Sequence, residues 1–591
     1  MHCGLLKLNM RKIITAFKKT LGYQPGDELN SDMSSSFKGN PAFQGGEDVI
    51  EVLFVIALLT VGGFLRLYNL SGSPSSLNWD EASLGYNAYS ILKTTKDEYG
   101  KTLPFYTRSF DDYKSAVPIY LMIPSIKIFG LNEFGVRFPS AFLGTISILI
   151  VYLLVKTYFK SSVAATFSGF LFAIEPWSVH FSRVYHEANI ANFFLLLGIL
   201  FYLYSRKINI LLVISLLLLI ISMFTYHSNK AVVPVFIFAL SILDFGQLRR
   251  YSQKIIQFCA VAFASLFILF IITNIKSGGA ARFASTNIFS KSPQNNVLSS
   301  LTDGHKLLIL KLARSNTYYF LWEIGGRYLS YLSPYNLFIR EPLEPTSKIS
   351  GSALLYPVEF FFLFLGIGYL LKNYRNYRVI VLLLFLSPIP AVFTWNWFQP
   401  NRVLSLLTIY SILTGVGMSL AITAIGKKLR SIRITYLLYM LSTLYLLLMS
   451  FYLFDAIQIL SVNDYSGAWQ PGFRESVPIV MQNEEKYNKV VIDTPHAQPY
   501  IFYLFYGKYD PYKYLRELDL EKIGTPRKVY DFGKFEFRKI DWDEDQNLPN
   551  TLFVGNTDQL TDKLKEDVNV NLFMDVMDRW NNVSTRLVGT K

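Results

Sequence analysis

The sequence predicts a polytopic α-helical membrane protein with a small α/β domain at its C-terminal end. Three observations carry this: composition, the spacing of apolar runs, and the alternation of basic loops. Of 591 residues, 51% are hydrophobic and only 17% charged, against about 25% charged in an average soluble domain. With aromatics at 16%, this composition excludes a disordered chain, a coiled coil, a collagen and a disulfide-stapled miniprotein. Cys3 and Cys259 lie far apart, so neither a disulfide framework nor a cysteine zinc site is expected.

A membrane helix needs about 20 mostly apolar residues. Eleven candidate spans follow: 49–68, 134–155, 162–179, 188–204, 208–225, 231–244, 255–274, 354–371, 379–394, 402–425 and 434–454. Residues 1–48 read as a basic cytoplasmic tail, and the first apolar run starts too deep for a cleaved leader. Within the tail, residues 4–22 suit either a basic amphipathic helix on the membrane surface or a disordered segment. The tail carries Lys7, Arg11, Lys12, Lys18, Lys19 and Lys38. Every second loop after it is also basic: Lys156/Lys160, Arg206/Lys207, Arg249/Arg250/Lys254, Lys372/Arg375/Arg378 and Lys427/Lys428/Arg430/Arg433. Cytoplasmic loops concentrate such residues, so the N-terminus is expected inside and the C-terminus outside. The net charge of +14 is then a topology signal, and no nucleic-acid partner is implied.

The expected domains are the tail, a membrane domain over 49–454 and an extracytoplasmic α/β domain over 455–591. Long outer loops cover 69–133 and 275–353. The last domain shows strand-like runs at Val490–Thr494, Phe535–Ile540 and Thr551–Gly555, with a helical candidate at Pro499–Tyr506. Asn582-Val583-Ser584 is an acceptor sequon.

Ionisable residues at the ends of membrane helices are functional candidates, and here they collect on the outer side. The first outer loop opens with Asn78-Trp79-Asp80-Glu81 and continues to Asp111-Asp112-Tyr113-Lys114. Later outer turns carry Arg183, His186, Glu187 and Asn189, then His227, Asn229 and Lys230, then Asn401 and Arg402. Cations around one carboxylate pair suit a lipid-linked phosphate and a hydroxyl acceptor. Lys114, Arg183, Lys230 and Arg402 would neutralise the phosphate, and Asp80 or Glu81 would take the acceptor's proton. Asp111, Asp112, His186, Glu187, His227, Asn229 and Asn401 would line the substrate. A competing reading has Asp80 and Glu81 capping the helix that follows. In the same vein the cations would hold lipid head groups by snorkelling, His227 would be an interface residue, and Trp177, Trp395 and Trp397 would form an interface belt.

The acidic pair, the downstream Lys114-x-x-x-Pro118-x-Tyr120 and the turn Phe181-Ser182-Arg183 resemble the GT-C glycosyltransferases. The likeness is to protein O-mannosyltransferases and lipid A aminoarabinose transferases, over residues 50–455. The resemblance implies a GT-C membrane fold, Asp80 as catalytic base with Glu81 beside it, and Lys114 near the phosphate, and it matches Arg183 to the outer-turn arginine of the mannosyltransferases. Tyr226–Lys230 and Asn401-Arg402 resemble later outer-loop positions. Aminoarabinose transferases commonly place Glu before this lysine, near a metal. Tyr113 stands there in this chain, so a divalent metal is left open and no other cofactor is implied.

The expected function is transfer of a sugar from a polyprenyl-phosphate donor to an extracytoplasmic hydroxyl on a protein, lipid or glycan, with inversion. Membrane lipids are the remaining partners. The alternatives are a lipid-linked oligosaccharide ligase or polymerase and, from a different class, a transporter. A transporter typically has broken helices and midplane charges, whereas these charges sit at one face.

Overall fold

The computed structural model describes residues 44–110, 112–276, 287–288, 316–464, 466–470, 472–494, 498–517, 531–578 and 581–591. The expected tail therefore lies almost wholly outside the described residues, as does much of the expected second outer loop. Helix α1 (Gln44–Leu67) leads to α2 (Trp79–Thr94), a β-hairpin of β1 (Tyr106–Ser109) and β2 (Asp112–Ser115), and α3 (Ala116–Phe129). Then follow α4 (Glu133–Phe159), α5 (Ser162–Ile174), α6 (Pro176–Arg183), α7 (Glu187–Ser205), α8 (Leu211–Thr225), α9 (His227–Leu243) and α10 (Gln253–Lys276). The bundle closes with α11 (Asn316–Ser330), α12 (Glu359–Lys372), α13 (Arg378–Leu386), α14 (Leu404–Leu429) and α15 (Ile432–Asp455).

Five described helices are long and apolar enough to cross a bilayer: α4, α7, α10, α14 and α15 with its extension to Asp464. The other expected spans fall on α1, α5, α8, α9, α12 and α13. Burial sorts the long helices by position. In α14, 78% of the apolar window is buried, and in α10 none of it is. A helix apolar all round and unburied faces lipid, whereas α14 is the centre of the bundle. Its glycines allow that. A Cβ on Gly417 would meet the Phe362 carbonyl of α12 at 1.9 Å, and one on Gly415 would meet the Ser168 backbone of α5 at 2.3 Å. Small residues let membrane helices approach this closely.

The two ends of the bundle differ. At one end Arg378 and Arg206 both reach Asp244, at 2.9 and 3.5 Å, and Tyr158 accepts the Val379 N–H. The basic turns after α7, α9 and α12 are thus neighbours. The opposite end carries α2, the hairpin and α3. Helix α3 is apolar but has only 14 residues, about 21 Å, and it packs against α2 and α4.

Residues 472–591 add α16 (Gly472–Asn483), α17 (Tyr500–Tyr506) and α18 (Pro511–Glu517) to a five-stranded sheet. Its strands are β3 (Lys489–Ile492), β4 (Phe535–Phe537), β5 (Thr551–Gly555), β6 (Val570–Met577) and β7 (Val583–Thr590), in the order β4-β3-β5-β7-β6. β3 runs parallel to β4 and β5, while β7 pairs antiparallel with β5 and β6. Tyr500–Phe505 are all buried, so α17 is packed on every side. One of those sides is α2. Tyr86 donates to the Tyr509 carbonyl at 3.2 Å and Tyr512 donates to the Lys93 carbonyl at 2.7 Å. The sheet, α17, α2 and α3 share one hydrophobic core, and the bundle forms another.

Candidate active site

The site is built where α2 begins. Asn78 caps that helix: its side chain accepts the Glu81 N–H at 2.8 Å, and Glu81 accepts the Asn78 N–H at 3.3 Å. Two donors at the helix start are thereby satisfied. Successive helical side chains diverge by about 100°, and the outcome is a separation of roles. Glu81 points inward, with its side chain 1% exposed, while Asp80 stays 44% exposed.

The hairpin brings the cation. In its register Thr107 faces Lys114 and Ser109 faces Asp112, so Asp112 and Lys114 share one face and Tyr113 takes the other. Ser109 Oγ lies 2.9 Å from Ser83 Oγ on α2, which turns that face toward the helix. Lys114 Nζ then sits 3.1 Å from Asp80 Oδ1, 3.7 Å from Glu187 Oε1 and 3.8 Å from Asp112 Oδ2. The Lys114 side chain is 8% exposed. Burial pulls its pKa down, but Asp80 and Glu187 outweigh burial and the ammonium titrates above its ordinary value.

His186 caps α7 through Nδ1, which accepts the Ala188 N–H at 3.1 Å. Its Nε2 lies 3.2 Å from Asn401 Nδ2. Burial lowers the His186 pKa, with Glu187 opposing and Lys114 adding to the fall. Tyr226 lies within electrostatic reach of Arg402, Glu187 and Lys114, and His227 within reach of Lys230, Lys114 and Arg402. Lys230 Nζ donates to Asn274 at 3.1 Å and lies 4.8 Å from the Tyr106 ring centre. Arg402 holds a buried Nη1 with no hydrogen-bond partner among the described residues. So Asp80, Asp112, Lys114, His186, Glu187, His227, Lys230, Asn401 and Arg402 come together, from five separate stretches of chain.

Four expected site residues are not in this group. Arg183 is 2% exposed and its fork is spent on backbone. Nη1 donates to the Leu65 and Tyr68 carbonyls at 2.7 and 2.9 Å, and Nη2 to those of Asn69 and Ser73 at 3.2 and 2.6 Å. It closes the C-terminus of α1, where carbonyls lack helical partners, and only its buried Nε has no hydrogen-bond partner among the described residues. Glu81 holds Arg137 by two bonds of 3.0 and 3.1 Å and accepts the Tyr185 N–H at 2.9 Å. That is a fastening of α2 to α4, not an exposed base. Asn229 is buried and donates to Ser222 Oγ at 2.7 Å within the bundle. Asp111 lies outside the described residues.

A divalent metal does not fit this donor set. The three carboxylates that would ligate it already surround an ammonium, and no group of three or more His, Cys, Asp or Glu suited to a metal occurs among the described residues.

Sequence reasoning missed the residues that aim the loop. Arg137 is 0% exposed and donates to the Leu70, Pro74 and Ser76 carbonyls besides Glu81. Arg66 is also 0% exposed and donates to the Gly62, Phe172 and Ala173 carbonyls and to Ser178 and Ser182. With Arg183, these guanidiniums clasp residues 62–76, the stretch that leads to Asp80. The one available signal was an arginine inside an apolar run, which must find polar partners.

A family model described as dolichyl-phosphate-mannose-protein mannosyltransferase matches residues 114–276. The structure resembles ArnT from Cupriavidus metallidurans bound to undecaprenyl phosphate, at a TM-score of 0.52 and 11% identity, covering 92% of this chain and 98% of that one. The apo form of that protein gives 0.52 at 12% identity over the same shares. The oligosaccharyltransferase AglB from Archaeoglobus fulgidus, in complex with an inhibitory peptide and a dolichol-phosphate, gives 0.45 at 12%, over 76% and 62% of the two chains. A sequence search of curated proteins returns no match. The likeness to ArnT shows a shared fold, and the family match covers only residues 114–276.

Proposed function

We propose that this protein transfers a sugar from a polyprenyl-phosphate donor to a hydroxyl acceptor on the extracytoplasmic side, with inversion at the anomeric carbon. The acceptor oxygen attacks that carbon while the bond to the phosphate oxygen breaks. The acceptor proton passes to the Asp80 carboxylate and from there to water. Polyprenyl phosphate leaves, and a phosphate is a good enough leaving group to need no strong general acid. The observation that carries this is Asp80 itself: half-exposed, held at 3.1 Å by a buried lysine, with Lys230 and Arg402 in the same cluster of residues. Lys230 and Arg402 make no ion pair among the described residues. Lys114 is already matched by three carboxylates, so the donor phosphate would be met by those two charges. A phosphodiester carries one negative charge and the departing monoester close to two. Two cations therefore favour a monophosphate donor over a pyrophosphate-linked oligosaccharide.

On this reading the basic end of the bundle is cytoplasmic, the protein is multi-pass in the cell membrane, and the C-terminal sheet is extracytoplasmic. Protein, lipid and envelope glycan are all acceptors of suitable chemistry. The test is Asp80→Asn in purified protein given polyprenyl-phosphate sugars. Asn keeps the size and leaves the Asn78 cap untouched but cannot take a proton, so turnover should fall by roughly 10²–10⁴-fold with donor binding retained. Near-normal turnover would remove Asp80 from the mechanism. Envelope glycan mass analysis with and without the chain identifies the acceptor.

A further inference from the structure

Helix α11 has two opposite sides. Ile324, Tyr328 and Tyr331 turn toward the bundle: Tyr328 donates to the Phe385 carbonyl at 3.1 Å, and Tyr410 donates to the Tyr331 carbonyl at 3.0 Å. Phe385 ends α13 and Tyr410 lies in the second turn of α14, so α11 sits at the depth where two membrane helices end. Its charges are also spent inward. Arg327, 3% exposed, binds Glu323 at 2.8 Å, donates to the Thr394 and Trp395 carbonyls, and lies 4.8 Å from the Trp397 ring centre.

The other side is bare and apolar. Leu321 is 63% exposed, Trp322 68% and Leu329 64%. The stripe continues past the helix through Tyr335 at 54%, Ile339 at 69% and Leu343 at 71%. Leu321, Trp322 and Leu329 fall on one helical face at 100° per residue, and the Glu323–Arg327 pair lies on the opposite one. The chain arrives from α10, which exposes Ile271, Ile272 and Ile275, and departs into α12, which exposes Phe361, Phe364 and Leu365. Both expose apolar side chains of the same kind as the stripe.

We infer that α11 and the segment to Leu343 lie in the membrane leaflet on the side of the site, with this stripe among the lipid chains. A large apolar face, a polar opposite face and a tryptophan at the boundary are what an in-plane helix requires. Because Arg327 grips the start of the 394–402 loop, the leaflet also sets the height of Asn401 and Arg402. The inference rests on membrane residence alone and is independent of the proposed reaction.

Full-length protein lacking Cys3 and Cys259 is placed in phosphatidylcholine–phosphatidylglycerol vesicles. A nitroxide is attached at 321, 322, 329 or 339, and at Lys563 in the C-terminal domain as a water-facing reference. Collision with oxygen should exceed collision with a water-soluble nickel chelate at all four positions and be reversed at 563. Chelate-dominated collision along α11 would place the stripe in water and overturn the inference. Shielding from both quenchers would show that protein covers it, which overturns it equally. Four independent labels keep the result readable if one substitution fails to fold.

Discussion

At the scale of single residues, the site end is governed by burial of charge. Arg183 shows how a buried cation can serve the backbone. Its guanidinium satisfies four carbonyls in a place water does not reach, and leaving such acceptors unmet costs about 1–3 kcal/mol each. Arg183→Ala should therefore lower thermal stability in detergent by several degrees. Arg183→Lys should recover little, since one ammonium cannot reproduce the fork. Unchanged melting with a raised donor KM would instead return Arg183 to the phosphate. Glu98 presents the reverse problem, a carboxyl buried without a cation bonded to it. Its side chain is 1% exposed and neither oxygen has a hydrogen-bond partner among the described residues. Burial, with a smaller contribution from Asp97, raises its pKa to about 8 against the pull of Asn87, Ser83 and Arg108. The folded protein then holds a proton that the unfolded chain releases near pH 4.5. Native stability from this group is full below pH 4.5 and lost as pH rises toward 8. Glu98→Gln removes that slope, so melting curves of the variant should gain on the wild type from pH 5 to 8 and keep a constant lead above. Parallel curves over that range would show that Glu98 is ionised in the fold.

At the scale of elements, what aims Asp80 is the seat of α2 rather than the loop that precedes it. The helix is held from below by the Glu81–Arg137 pair and from above by α17 and α18. The upper contact has no slack. A Cβ on Gly85 would meet Phe505 Cε2 at 2.7 Å and Val136 Cγ2 at 2.8 Å, both on buried side chains. Gly85→Ala should destabilise by about 1–3 kcal/mol, the usual cost of overpacking. Transfer activity should fall with it, because α2 must shift or tilt to make room. Wild-type melting and activity in Gly85→Ala would mean that the α2–α17 interface is looser than its distances imply. The hairpin matters in the same way: its register places Lys114 and Asp112 on one face, and a slip of one residue would present Tyr113 to Asp80 instead.

At the scale of the whole molecule, charge is sorted between two ends. Basic turns meet at Asp244 on one, and the Asp80–Lys114 group with the C-terminal sheet lies at the other. The positive-inside rule converts this into a topology. Tags near residues 250 and 430 should report cytoplasmic, and tags near 100 and 591 extracytoplasmic, by protease protection of sealed vesicles. A protected site for tag 591 on the cytoplasmic side would reverse the orientation and with it the compartment of the proposed reaction. The shared core between the sheet, α2 and α3 also makes the C-terminal region part of the proposed catalytic end.

The sequence by itself determined the helical membrane character, the helices that lie on its apolar runs, three strands of the C-terminal sheet and most of the residues that gather around Lys114, while α3 and α11 lay in segments that read as outer loops. These are properties of local order: apolar runs of spanning length, basic loops in alternation, and polar residues stranded at helix ends, each of which the solvent forces into one position. Only the tertiary structure decided which of those polar residues face one another. Asp80 and Glu81 are adjacent and chemically alike, and what parted them was Arg137, more than fifty residues downstream. Arg183 and Arg402 both read as cations at helix ends. The close approach of α1 to α6 gave Arg183 four carbonyls and left only its Nε unpartnered, whereas Arg402 kept a buried Nη1 without a partner among the described residues. The union of α2 with the C-terminal region depended on contacts across hundreds of residues, such as that of Tyr86 with Tyr509, which no local pattern encodes. Partners for a buried charge are chosen by packing, and packing is a property of the whole chain.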